Sequence, residues 1–169
     1  MTGASFQSGP GFQVEIDDAQ VQGALDRLIA AGQDLTPAMD RIGSMLVSSV
    51  IHRFETGQAP GGAPWKPSIR AREQGGQTLI DSGRLRTSIT YMPGPSSVEV
   101  GTNVVYAAIH QFGGTIHAKN APHLVFKIGG RFASKDQVTI PPRPFLGIDE
   151  GDRAEIGNIL RDHLFREAT

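Results

Sequence analysis

The chain has 169 residues, 38% of them hydrophobic and 20% charged, with 21 Gly, 11 Pro and no Cys. That length fits one domain with a modest core, the Gly and Pro content indicates many turns and extended loops, and the missing Cys excludes disulfides and thiolate metal sites. Sixteen Lys and Arg against seventeen Asp and Glu leave a formal charge of −1, which excludes a global field that would drive nucleic-acid or membrane binding.

Residues 1–13 hold Gly3, Gly9, Pro10 and Gly11 and are expected to form a flexible N-terminal arm, with residues 14–169 as a single domain. No basic residue or apolar run precedes Arg27, so no secretory leader is expected and assembly is placed in a cytoplasm. Phe12, Val14 and Ile16 alternate with polar residues, a short-strand pattern. Asp17 or Asp18 is placed to cap a helix running to about Ala31 and stopped by Gly32, with Val21, Leu25, Leu28 and Ile29 on one face. A second helix is expected from Thr36 as N-cap and Pro37 at the first helical position. Met39, Ile42, Leu46, Val50 and Phe54 step by three or four residues before Gly57 stops the run.

Residues 57–78 read as a long irregular loop around Trp65, of a length that is usually functional or ordered by a partner. Asp81 or Ser82 would cap a short helix carrying Leu85 and Ile89. Ser97 to Thr102 alternates as a strand and pairs with Thr90 to Met92 across Pro93-Gly94-Pro95. Val104 to Phe112 reads as a helix ended by Gly113-Gly114; its apolar stretch, Val104 to Ile109, is far short of the roughly 20 residues a membrane span takes. A second long loop is expected over residues 114–137, within which Leu124 to Ile128 is a strand joined to Gln137 to Ile140 by a loop containing Gly129-Gly130. Pro141-Pro142-Arg143-Pro144 excludes helix and inner strand. Asp149 caps a last helix with Ile156, Ile159, Leu160 and Leu164 as its stripe, acidic at its start and basic near its end, as the helix dipole favours. The order of elements gives α+β, an antiparallel sheet packed by three to four helices.

Chemistry-bearing constellations are weak. His110, His117 and His123 are the best candidates for a divalent metal site and a small metal-dependent hydrolase, but their spacings of seven and six residues match no helical ligand pair. Asp81 and Ser82 lack the G-x-S-x-G elbow of a hydrolase nucleophile. The glycine-rich run from Gly57 to Lys66 lacks the Gly-Lys-Ser/Thr ending of a phosphate loop. Arg70, Arg72, Arg84 and Arg86 form a basic cluster suited to intersubunit ion pairs, solvated surface or phosphate contact, including that of a nucleic-acid-binding module. Trp65 either plugs its loop onto the chain's own core or anchors a contact with another subunit.

Four motifs recur in a familiar order: Phe54-Glu55-Thr56-Gly57 followed by Pro60-Gly61-Gly62-Ala63-Pro64-Trp65; Leu79-Ile80-Asp81-Ser82-Gly83-Arg84-Leu85-Arg86-Thr87-Ser88-Ile89; Tyr106-Ala107-Ala108-Ile109-His110-Gln111-Phe112-Gly113-Gly114; and Ile140-Pro141-Pro142-Arg143-Pro144-Phe145-Leu146-Gly147. The series, covering about Leu35 to Leu164, resembles the phage virion-morphogenesis family of Mu-like and P2-like phages, which includes tail-completion proteins. It is more distantly similar to siphophage neck tail-completion proteins. Residues 118–137 are less family-like.

The resemblance implies a virion protein of the neck or tail, assembled in a bacterial cytoplasm and forming a ring, expected to be a hexamer. Its partners would be further copies of itself, the head–tail connector and tail-tube proteins, with genomic DNA passing through without sequence-specific binding and no membrane. A near-neutral lumen would let the genome slide rather than grip its phosphates. A tail terminator capping the tube is the rival within this class. The resemblance implies structural roles for Phe54, Gly57, Trp65, Gly83, Leu85, Tyr106, His110, Gln111, Gly113, Arg143, Pro144 and Phe145, with no catalytic residue, cofactor or metal. Tyr106, His110, Gln111 and Phe112 would fix a short helix against the sheet. Gly113-Gly114 would supply a turn, and Arg143-Pro144-Phe145 would hold the chain extended with Phe145 packed inward. Phe54, Leu85 and Ile89 would be core.

Overall fold

The computed structural model describes residues 19–119, 121–128 and 130–166; the expected arm and the strand at Phe12, Val14 and Ile16 lie outside them. In chain order the elements are α1 (Ala19–Gln33), α2 (Thr36–Thr56), α3 (Ile69–Gln74), α4 (Arg84–Thr87), β1 (Thr90–Pro93), β2 (Val98–Gly101), α5 (Ala107–Phe112), β3 (Gly114–His117), β4 (Leu124–Ile128), β5 (Arg131–Lys135), β6 (Gln137–Ile140) and α6 (Glu150–Arg166). The fold is α+β. Among the described residues the strands form three two-stranded antiparallel sheets, β1–β2, β3–β6 and β4–β5, where one sheet was expected.

Helix α2 is the spine. Ala38, Met39, Ile42, Leu46, Val50 and Phe54 are buried along its length, a stripe at helical period that serves two clusters. Its first half packs with Ile159 of α6 and with Val98 and Val100 of β2. Its last turns join Val50 and Phe54 to Trp65, Leu85, Ile89, Val104, Ala107 and Phe145. Phe54 and Phe145 are both fully buried, and each such ring removed from water contributes about 1.5–3 kcal/mol. Their centroids lie 5.2 Å apart, and Trp65 meets Phe54 edge-on at 5.7 Å.

The start of α2 differs from expectation. Leu35, not Thr36, holds the N-cap position and makes no side-chain cap; Asp34 Oδ1 takes the Thr36 amide at 2.9 Å instead, so an upstream carboxylate satisfies the first free donor. The end is as expected. Gly57 adopts φ +70°, a left-handed conformation that glycine enters without steric cost. The β1–β2 hairpin, in register Thr90↔Gly101 to Pro93↔Val98, lies across α2. A Cβ on Gly43 would stand only 2.1 Å from the Tyr91 ring, so the missing side chain lets the hairpin approach, and the Tyr91 hydroxyl donates to Asp40 Oδ1 at 3.0 Å.

Several elements are shorter than read from the sequence, and two strands are new. Helix α4 is a single turn with Gly83 as N-cap at φ +81°, because Asp81 is engaged outward with Arg70 and Ser82 reaches the Arg84 amide only at 3.4 Å. Helix α5 starts at Ala107, since Val104 turns into the core while Val105 is 97% exposed. The loop over residues 57–78 contains α3, capped by the Ser68 hydroxyl accepting from the Ala71 amide at 3.1 Å. The expected loop over residues 114–137 is largely β: β4 pairs with β5, while β6 pairs with β3 and not with β4. Helix α1 packs on α6, but Leu25 and Ile29 on its expected apolar face are 52% and 62% exposed.

Candidate functional site

The polar residues of the quoted motifs converge on the extended segment from Pro141 to Asp149. This segment has no neighbouring strand among the described residues, so its backbone groups need other partners, and side chains supply them. Gln111 of α5 accepts from the amides of Phe145 and Leu146 at 2.9 and 3.0 Å. Its Nε2 donates to the Leu146 carbonyl at 2.9 Å, so one amide side chain does the work of a pairing strand. Trp65 Nε1 donates to the Pro144 carbonyl at 2.9 Å, and Arg143 Nε to the Lys66 carbonyl at 2.7 Å. The Arg143 amide donates to the His110 carbonyl at 2.7 Å. Gly113 stands so close to this segment that a Cβ would lie 2.7 Å from the Pro142 nitrogen, which only glycine permits.

Arg53 closes the clasp from α2. It is 4% exposed and donates from Nη1 to the Gly147 carbonyl at 2.7 Å and to the Phe145 carbonyl at 3.3 Å. Its Nη2 pairs with Asp149 at 3.0 Å and with the buried carboxylate of Asp152. The two aspartates also cap α6 reciprocally: Asp149 Oδ1 accepts the Asp152 amide at 2.9 Å, and Asp152 Oδ2 the Asp149 amide at 3.1 Å, the geometry of a capping box. The Asp152 amide, followed by the Arg53 guanidinium, holds the Asp149 carboxyl below its ordinary range. Arg53 sits three residues after Val50 on the buried stripe, and nothing in the sequence separates it from a flanking exposed arginine until the fold buries it.

The other motif residues divide. Leu85 is core, and Gly57 turns the chain so that its carbonyl accepts the Trp65 amide at 2.8 Å. Trp65 therefore seats its loop on the chain's own core. Tyr106 and Phe112 do not fix α5 against a sheet: they are 43% and 78% exposed, because α5 is held by Gln111 and Ala107 instead. The His110 ring is half-buried with its Nδ1 unpartnered among the described residues, and burial, then the Arg143 charge, lowers its pKa.

The three histidines are placed differently from one another. His110 lies under the clasp, His117 ends β3 opposite Gln137, and His123 Nδ1 meets Asp136 Oδ1 at 2.6 Å on the surface. Among the described residues no group of three or more His, Asp or Glu is placed to hold a metal ion. The four arginines also separate. Arg70 clamps the carbonyls of Gln77 and Ile80 at 2.7 and 2.6 Å, across the turn where Leu79 holds φ +64°. With Arg84, Arg143, His110 and Tyr106 it lines an open cavity of about 370 Å³. Arg86 faces Glu55 at 3.9 Å, and Arg72 lines a separate groove beside β3–β6 and β4–β5.

The profile of the phage virion morphogenesis family matches residues 16–165. The chain belongs to that family. It is 37% identical over 154 residues to the Mu-like prophage FluMu G protein 2 of Haemophilus influenzae, covering 90% of this chain and 95% of that protein. It is 31% identical over 161 residues to a protein of Escherichia phage Mu named "Putative capsid assembly protein G", covering 89% and 92%. No solved structure matches the chain. Family membership makes this a virion-morphogenesis protein of the structural class, and the matched range spans both the clasp and the β-rich segment after α5. No helix among the described residues is long and apolar enough to cross a membrane.

Proposed function

We propose that this chain is a neck or tail-completion component of a Mu-like phage particle, closing as a ring, expected to be a hexamer, at the joint between head and tail and leaving a passage for DNA. It works by fitting neighbours, the connector and the tail tube, and breaks no covalent bond. The observation that carries the reading is a segregation of charge hidden by the near-zero total. Residues 66–143 hold ten of the sixteen Lys and Arg but four of the seventeen Asp and Glu, and the flanking stretches hold six and thirteen. The middle of the chain is thus basic in sequence and its flanks acidic, a complementarity that a head-to-tail contact would use, and such contacts close into rings when the rotation permits. The clasp supports the same reading, since Arg53, Trp65, Gln111 and Arg143 direct hydrogen bonds at the chain's own backbone.

Light scattering and negative-stain imaging of the full chain test this: closed rings that loosen as salt is raised are expected, and a monomer that also fails to associate with isolated tails or heads would defeat it. The printed name of the Mu relative favours a second placement, on the head side during capsid assembly. Locating the chain in intact particles by electron microscopy separates the two, because density at the joint supports the first and density within the shell the second.

A further inference from the structure

Among the described residues the segment from β3 to β6 contributes no buried core residue, yet it is amphipathic. In β3–β6, Ile116 lies opposite Val138 and Gly114 opposite Ile140, so Ile116, Val138 and Ile140 share one face. In β4–β5, Phe126 lies opposite Ala133 and Leu124 opposite Lys135, which places Leu124 and Phe126 together. Both apolar faces turn toward one groove of about 880 Å³, whose other wall is formed by Pro67 and Ile69. Lys66, Arg72, Lys135 and Arg143 line it, and no Asp or Glu does. Ile69 and Ile116 remain 42% and 41% exposed, and among the described residues no third strand lies beside either pair. Two-stranded ribbons are marginal unless a further strand or a packed face supports them.

The groove therefore selects an occupant that is apolar at every second residue and acidic between. The chain carries such a stretch at Phe12-Gln13-Val14-Glu15-Ile16-Asp17-Asp18, outside the described residues. As an extended strand this stretch would send Phe12, Val14 and Ile16 to one side and Glu15 and Asp17 to the other. We propose that residues 12–18 of a second copy fill this groove as an added strand. Phe12, Val14 and Ile16 meet Ile116, Val138 and Phe126, while Glu15 and Asp17 face Lys66 and Arg72 on the other wall. Strand addition of this kind takes affinity from backbone hydrogen bonds and specificity from alternate side chains. Because donor and acceptor surfaces differ, each copy serves the next, and the interaction rests on the ring reading above.

The absence of native Cys makes disulfide trapping a clean test. Full-length chains carrying Val14→Cys are mixed with full-length chains carrying Ile116→Cys and oxidised. The expected product is a disulfide-linked pair of chains, removed by reductant, with yield falling several-fold in 1 M salt or when Glu15→Lys and Asp17→Lys are added to the donor. Val14→Cys mixed with Phe132→Cys, on the opposite ribbon face, is expected to give little product. Equal trapping at positions 116 and 132, no trapping at all, or a doubly substituted chain that closes only on itself at monomer mass would each overturn the inference. Rings that persist with Val14→Ser and Ile16→Ser would overturn it while leaving the ring reading intact; a wild type that forms no ring yet traps at 116 would do the reverse.

Discussion

Two regions of the molecule solve the same problem in opposite ways. The segment from Pro141 to Asp149 and the segment from Gly114 to Ile140 both leave the helical body as extended chain. The first is drawn inward: Phe145 is fully buried, and Arg53, Trp65 and Gln111 satisfy its backbone. Among the described residues the second pairs only with itself and leaves Val125 and Phe132 68% and 80% exposed. A proline-rich segment cannot donate a full ladder of amides, so the body supplies side-chain partners one at a time. A ribbon completes half of its own hydrogen bonds and keeps two edges open. The clasp completes the body from within, whereas the ribbons keep open edges and exposed rings.

The largest test of this contrast lies at Arg53. Replacing it with Met leaves Asp152 buried beside Asp149 without a cation, and losing one partner of a buried ion pair costs about 3–5 kcal/mol. The urea midpoint is expected to fall accordingly, and Arg53→Lys to recover little, because one ammonium cannot serve two carbonyls and two carboxylates in a fork. A loss under about 1 kcal/mol, the range of exposed pairs, would mean that the clasp is not what completes the body. Gln111→Ala comes next. It strips two amides and a carbonyl of their partner, and a buried polar group left unsatisfied costs about 1–3 kcal/mol. Amide hydrogen exchange at Phe145 and Leu146 is expected to accelerate with it.

The acid limb gives a smaller effect of defined sign. The Asp149 carboxyl is held below the ordinary carboxylate range by the Asp152 amide and then by Arg53. The stabilisation is complete above the unfolded value and is lost as pH falls from there through the lower folded value. Urea midpoints measured down that range should drop less steeply for Asp149→Asn, which is already weakened at neutral pH; parallel curves would contradict the assignment. The smallest effect is expected on the ribbon. Phe132→Ser removes an exposed ring, and stability of the isolated chain is expected to stay within about 0.5 kcal/mol, as for other surface changes. A larger fall would show that the ribbon already packs on the body and would erase the contrast.

Much of the body was legible because its signals are local. The stripe from Met39 to Phe54, Gly57 as its stop, the hairpin from Thr90 to Gly101 and Asp149 before the last helix each rest on a few adjacent residues, and the fold has all four. The β-rich segment was less legible. β5 is Arg-Phe-Ala-Ser-Lys and β3 is Gly-Thr-Ile-His, each with too few apolar residues to show a period of two, so β5 is a strand only by pairing with β4 just before it and β3 only by pairing with β6 further along the chain. Asp34 and Thr36, either side of Leu35, each carry a side-chain oxygen suited to a helix start, and residue type alone does not choose between them. The uneven placement of charge was readable directly from the sequence, and a count of the total conceals it.

The sequence alone determined the buried stripe of α2, the turn at Gly57, the family to which the chain belongs and the uneven placement of charge along the chain, since each depends on residue type and order. Only the tertiary structure decided that Arg53 is an internal bolt, that Gln111 stands in for a strand, and that the apolar faces of two ribbons share one cationic groove. The Gln111 and Arg53 contacts join residues 34 to 99 positions apart. Whether a polar side chain there is solvated or buried depends on what the rest of the chain brings beside it.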